Sequence, residues 1–254
     1  MSRQLKYNQA IAKALISNAD GIIEAIDKYL AKADDELSDV LADEGYADAE
    51  DSVKVINAMQ EEIAETLQNQ TDDLVEALAA EQDSGWAAAQ KKVSEMLDGD
   101  DIAEQVQEAA ADMFQTEVPK LATVYMQETD GDLVVDVIRQ RTKSWIASWS
   151  QRLGQLMKIN THQQITDIIQ RTIDQGESIE TLTRKIMDGG WRNEHYQARR
   201  VAVTEVLRAH SVAREEAIQQ SPSTDRKEWR HTGAHKNKPR PNHVDMDGQI
   251  VPKD

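Results

Sequence analysis

Apolar residues recur at steps of three and four along most of this chain, the spacing that lines one face of an α-helix. The clearest run is Val53, Ile56, Met59, Ile63, Leu67, Leu74 and Leu78, with one gap at Gln70, and it predicts a long helix. Thr71-Asp72-Asp73 is a capping sequence at which that helix could break. Upstream, Leu5, Ala12, Leu15, Ile16, Ile22, Ile23, Ile26, Tyr29, Leu30, Leu37, Val40 and Leu41 keep helical spacing, interrupted at Asn18-Ala19-Asp20-Gly21. Downstream, Trp86, Val93, Met96 and Leu97 lead to a turn at Asp98-Gly99-Asp100-Asp101. Ile102, Val106, Met113, Leu121, Val124 and Tyr125 then resume the pattern, with a bend expected at Pro119, whose ring cannot donate a hydrogen bond or fit the preceding turn.

Glu128-Thr129-Asp130-Gly131 punctuates the chain next. Beyond it, Val134, Val137, Ile138, Trp145, Trp149, Leu153 and Leu156 predict an amphipathic helix in which the two tryptophans lie one turn apart, an arrangement that suits a core better than a partner anchor. A further helix is expected over 161–175, and a short one from Gly176-Glu177-Ser178 to a C-cap at Gly189-Gly190. A central helix follows over 193–220, stopped by Ser221-Pro222. Lys227 to His231 and Gln249 to Val251 read as two short strands lying on that helix, with Asp247-Gly248 as the tight turn into the second. The fold class is mainly α: an elongated helical bundle, then a smaller helical module with a C-terminal β-hairpin.

Composition supports slender helices. Hydrophobic residues make up 39% and aromatic residues 4% of the 254 positions, against 30% charged, so apolar stripes are narrow and much surface must be solvated. No apolar run approaches the roughly 20 residues of a membrane span, and no signal-peptide pattern opens the chain, so a soluble protein made in a cytoplasm is expected. Zero cysteines exclude disulfides and thiolate metal sites. The net charge of −17 is unevenly spread. Residues 1–130 carry 30 acidic against 9 basic side chains, or −21, and residues 131–254 carry 16 against 20, or +4. An acidic half repels phosphate and argues against general nucleic-acid binding. Its simplest use is a solvated helix surface, and its next is a surface for a basic partner. The change of sign sets the expected division into an acidic long-helix region, 1–130, and a second region, 131–254.

Chemically capable residues concentrate late. On the central helix Ala198, Ala202, Ala209 and Val212 share a face with Glu205. A carboxylate among small side chains is being packed against and needs a cation, for which Arg208, Arg200, Arg240 and His243 are the candidates. Arg240 is expected, since a chain returning from a hairpin can present its guanidinium squarely, while Arg208 is the cheaper local choice. On that basis Glu205→Gln is expected to lose about 1–3 kcal/mol. Further on, His231, His235, His243, Asp245 and Asp247 crowd one loop and could furnish an N/O site for zinc or another divalent ion. Against that stand the absence of a His-Glu-x-x-His helix and the competing charges of Lys236, Lys238 and Arg240. Glu205, His243 and Asp247 around one hollow could also do acid–base work, but there is no nucleophile elbow and no phosphate loop, so a noncatalytic protein without cofactor or metal is expected.

The order of Arg200, Ala202, Thr204, Glu205, Arg208 and Ala209, then Trp229, then Arg240, His243, Asp247, Gly248 and Gln249 resembles the phage head morphogenesis family, the Mu F-like minor head proteins. The likeness covers about residues 161–254. Between Trp229 and Arg240, where many members carry an Asp and some a Cys pair, this chain has His231 through Pro239. The resemblance implies that Arg200, Thr204, Glu205, Arg208, Trp229, Arg240, His243, Asp247 and Gly248 form a structural motif. It also implies a minor capsid component of a tailed bacteriophage, located in the head interior or at the portal vertex. Its partners would be the portal protein, other capsid or scaffolding proteins and, through the C-terminal half, packaged DNA, with no membrane and with several copies on the portal conceivable; a part in DNA ejection would follow. Two other readings stay open: a metal-dependent enzyme or toxin-like effector built on the His/Asp tail, and a scaffolding-type chaperone that is shed.

Overall fold

The computed structural model describes residues 34–186, 194–229 and 245–253. These form α1 (Asp34–Asp43), α2 (Ala49–Ala80), α3 (Trp86–Leu97), α4 (Asp101–Gln127), α5 (Gln140–Asp174), α6 (Ile179–Lys185) and α7 (Glu194–Gln220). A two-stranded antiparallel hairpin follows, β1 (Arg226–Glu228) paired with β2 (Ile250–Pro252), with Lys227 opposite Val251. The mainly helical class with a small terminal hairpin is therefore what the chain adopts.

The long apolar run of α2 is buried throughout, and the helix does not break at Thr71. Thr71 donates its hydroxyl hydrogen bond to the Leu67 carbonyl one turn back, at 3.0 Å, and so stays within the ladder. Helix α4 likewise continues through Pro119. One backbone bond is lost there, but Val118, Leu121 and Ala122 beside the ring are buried and hold the turn against the core.

Two expectations about α5 are corrected. The helix begins at Gln140, leaving Val134 and Val137 in the preceding connection. The apolar spacing predicts helix there, yet both valines remain more than half exposed, Val134 at 53% and Val137 at 67%. At its far end α5 runs on to Asp174, so the two helices expected over 134–156 and 161–175 are one. Helix α6 starts as expected, with the Ser178 hydroxyl accepting the Thr181 N–H at 3.1 Å. The remainder of the N-terminal apolar pattern, before Asp34, and the Gly189-Gly190 cap lie outside the described residues.

Helix α4 packs against α5, α7 and α2, and α7 packs against α2 and α4. The larger apolar cluster draws on α1, α2, α4, α5 and α7 together, with Phe114, Ile56, Ile63 and Leu67 wholly buried. This cluster therefore joins buried residues from both sides of residue 130. A smaller cluster, built from the end of α2, α3, the end of α5 and α6, includes Leu74, Leu78, Val93, Ile165 and Leu182.

Close packing is written into small residues. Along α7, Ala198, Ala202, Ala209, Ala213 and Ala217 are all buried, which lets neighbouring helices approach the helix on more than one side. Where α5 crosses α4, Gly154 lies so close that a Cβ would stand 2.1 Å from the Ala103 carbonyl oxygen. Only glycine fits that crossing.

Candidate functional site

Helix α7 carries three buried polar groups where a core helix would ordinarily present apolar ones: Glu205, His210 and Glu216. Each is satisfied by a different neighbouring part of the fold, and together they form the best-built polar constellation among the described residues.

Glu205 is 2% exposed. Its Oε2 accepts from Trp149 Nε1 at 2.7 Å and from Arg208 Nε at 2.9 Å. The Arg208 guanidinium also lies 4.0 Å from the centre of the Trp149 ring, so one cation serves the carboxylate and the aromatic face at once. Trp149 in turn stacks parallel to Trp145, 6.2 Å between centres, and Trp145 meets Phe114 of α4 edge-on at 5.3 Å. Burial holds the Glu205 carboxyl above the ordinary carboxylate range, and Arg208 with the hydrogen bond from Trp149 opposes that shift without cancelling it. The expected tertiary partner, Arg240, lies outside the described residues. The partners seen are the local Arg208 and Trp149, whose spacing suited a core better than a partner anchor.

His210 is wholly buried. Its Nε2 lies 2.8 Å from Ser52 Oγ on α2 and its Nδ1 lies 2.7 Å from Tyr125 Oη on α4. Tyr125 Oη also accepts the Ala47 N–H at 3.2 Å, and Tyr46 packs edge-on against the imidazole. Burial, with a smaller push from the Arg214 charge, drives the His210 pKa down to about 4. The ring is therefore neutral at pH 7, donating through one nitrogen and accepting through the other. Ser52 and His210 stand at the distance of a nucleophile and its base, but the imidazole is a weak proton acceptor and is sealed from solvent, so the contact joins helices. No signal in the sequence singled out this centre, although His210 directly follows the motif residue Ala209.

Glu216 is also wholly buried. It accepts the Arg139 backbone N–H at 2.7 Å, Arg139 Nε at 3.1 Å, Gln220 Nε2 at 2.7 Å and the Thr142 hydroxyl. A carboxylate from α7 thereby sits at the start of α5, where amides have no intrahelical acceptor and the helix dipole favours an anion. Burial alone would raise its pKa, but the donors from Thr142, Arg139 and Gln220 outweigh burial and hold it below the ordinary range.

The other motif residues on α7 have modest local roles. Thr204 donates to the Arg200 carbonyl at 2.7 Å. Arg200 lies 5.8 Å from the centre of the Tyr196 ring, while its buried Nε has no hydrogen-bond partner among the described residues.

The tail is held differently. Trp229 N–H donates to the Gln249 carbonyl at 2.9 Å and its own carbonyl accepts from Gly248 N–H at 2.8 Å, extending the hairpin beyond β1. Gly248, at φ +75°, makes the turn that precedes β2. Lys227 Nζ reaches Glu215 at 2.8 Å and Lys253 Nζ reaches the Ser221 carbonyl at 2.9 Å, so both strands are tied to the end of α7. Asp245 and Asp247 are exposed. His231, His235 and His243, like Arg240, lie outside the described residues. Among the described residues no group of three or more His, Asp or Glu side chains is placed to hold a metal ion, and no helix is long and apolar enough to cross a membrane.

The molecule is thus a helical protein whose strongest polar contacts point inward and fasten helices to one another. Residues 163–254 match the family model described as Phage Mu protein F like protein, the family that the motif order resembles. The chain is also 29% identical over 245 residues to the Bacillus subtilis (strain 168) protein named Uncharacterized protein YqbB, covering 93% of this chain and 79% of that protein. No solved structure matches.

Proposed function

We propose that this chain is a minor head protein of a tailed bacteriophage, a noncatalytic structural component that acts in head morphogenesis at the portal vertex. The observation that carries the reading is the family match over residues 163–254, the segment that holds both the buried polar helix and the hairpin tied to its end. The site's chemistry agrees with it: Glu205, His210 and Glu216 make interhelical bonds and offer no accessible proton donor or acceptor to a substrate.

In this reading the division at about residue 130 is one of surface duty. The acidic exterior of α1 to α4 and the mildly basic exterior that follows address different partners while sharing one interior. Capsid or portal subunits would be the former's partners, and packaged DNA could be met only by the latter.

The test uses the full chain, because its core cannot be divided. Co-expressed with the portal protein of the same phage, it should elute with the portal ring, and mass spectrometry should find it in finished virions. Absence from both would overturn the proposal. Presence in immature heads together with absence from virions would instead identify a chaperone that is shed, a reading that the long acidic helices also suit.

A further inference from the structure

Two surfaces of opposite charge are left unmatched among the described residues. On α4, Glu104, Glu108 and Asp112 recur every fourth residue and are all exposed, an arrangement that weakens a helix by like-charge repulsion. Glu62 of α2 lies beside them, and after burial the largest influences on its carboxyl are the charges of Asp112, Glu108 and Glu65. None of these carboxylates takes part in an ion pair among the described residues.

The second surface is a stripe along α5. Arg141, Trp145, Trp149, Arg152, Leu156 and Ile159 fall within about 80° of one another around the helix axis at 100° per residue, and the stripe extends about 27 Å at 1.5 Å per residue. Leu156 is 41% and Ile159 57% exposed. Arg141 and Arg152 are exposed and make no ion pair among the described residues; Arg152 only approaches the Trp149 ring, at 6.0 Å. Trp145 and Trp149 are half-buried between the two guanidinium groups, and the exposed Leu156 and Ile159 continue the stripe beyond Arg152; aromatic, apolar and arginine side chains together are enriched at interfaces, and the charged edge calls for carboxylates.

We propose that the α5 stripe of one copy docks on the acidic α2–α4 face of a second copy. The charge complementarity is carried by the same sequence, and among the described residues no ion pair joins the two surfaces within one chain. Because the two patches differ, the contact is heterologous, and repeating it builds a row or a ring instead of a two-fold dimer. The net charge of −17 does not forbid it: at physiological ionic strength charges are screened beyond about 8 Å, so the groups that face each other decide the outcome. The inference does not depend on the phage reading above.

The experiment is sedimentation velocity on the full chain from low to high micromolar concentration at physiological salt. The wild-type mass should rise with concentration above the 28.5 kDa of one chain. Arg141→Glu with Arg152→Glu should weaken association by about tenfold or more, and so should Glu108→Lys with Asp112→Lys, each with unchanged helical circular dichroism. An equimolar mixture of the two variants should associate again, since the reversed stripe then meets the reversed face. A single-chain mass at every wild-type concentration would overturn the proposal. So would association that survives either reversal, or a mixture of the two variants that stays monomeric.

Discussion

Helix α7 and the terminal hairpin belong to the same family-matched segment, yet they hold their distinctive residues in opposite ways. On α7, Glu205, His210 and Glu216 are buried and bonded to α2, α4, α5 or their own helix. In the hairpin, Asp245, Asp247, Ile250 and Val251 face solvent. A shared motif can therefore record two different constraints. The helix residues are explained by the interior they organise, whereas Ile250 and Val251 of the second strand lie outside that interior.

Substitutions can sharpen or break that contrast, beginning inside. Gly154→Ala should be the most damaging, because its methyl would meet backbone and not a movable side chain. A loss on the order of 3 kcal/mol or more is expected in urea unfolding. A loss below about 1 kcal/mol would show that the α4–α5 crossing is looser than described.

Acid should act next through His210. Its folded pKa of about 4 lies below the usual 6.5, so its contribution is complete above pH 6.5 and is withdrawn as pH falls from 6.5 towards 4. At about 1.4 kcal/mol per unit, the withdrawal approaches 3 kcal/mol. Glu205 acts with the opposite sign: its raised pKa means that protonation on acidification relieves a strained carboxylate. Glu216 adds a loss only below its ordinary range. Chemical denaturation at pH 7 and pH 5 should therefore show a clear drop in the wild type and a smaller one in His210→Gln. Equal drops in both would remove the assignment.

Glu205 should follow. Glu205→Ala strands the Trp149 N–H and Arg208, at about 1–3 kcal/mol. Glu205→Gln should cost less than about 1 kcal/mol, since an amide oxygen still accepts from Trp149 and the buried charge is already disfavoured. This lowers the loss anticipated from sequence for the same change, and thermal melts of the two variants would order them. Last, Asp245→Asn and Ile250→Thr, both in the exposed tail, should shift stability by no more than about 0.5 kcal/mol. A larger effect from either would mean that the hairpin is as interior in its energetics as α7.

Much of the fold was legible because its signals are local. The apolar steps of α2, the Ser178 cap and the small-residue face around Glu205 each sit within a few residues of their consequence. The parts missed are those whose cause lies far along the chain. Helical spacing at Val134 and Val137 looked like the start of α5, but the helix begins where Glu216, 77 positions later, reaches Arg139. The role of His210 depends on Ser52 and Tyr125, 158 and 85 positions away. Trp149 was read as core filler because its indole N–H gives no sign in sequence that a distant carboxylate awaits it.

The way α7 enters the interior bears on how the chain is made. As the polypeptide leaves the ribosome, α1, α2, α4 and α5 emerge with Leu37, Ile56, Phe114 and Ile146 lacking the helix that covers them. Nascent chains should thus stay vulnerable to aggregation until α7 has emerged. A stop codon placed before Glu194 is then expected to yield insoluble or rapidly degraded product, not a tidy N-terminal fragment.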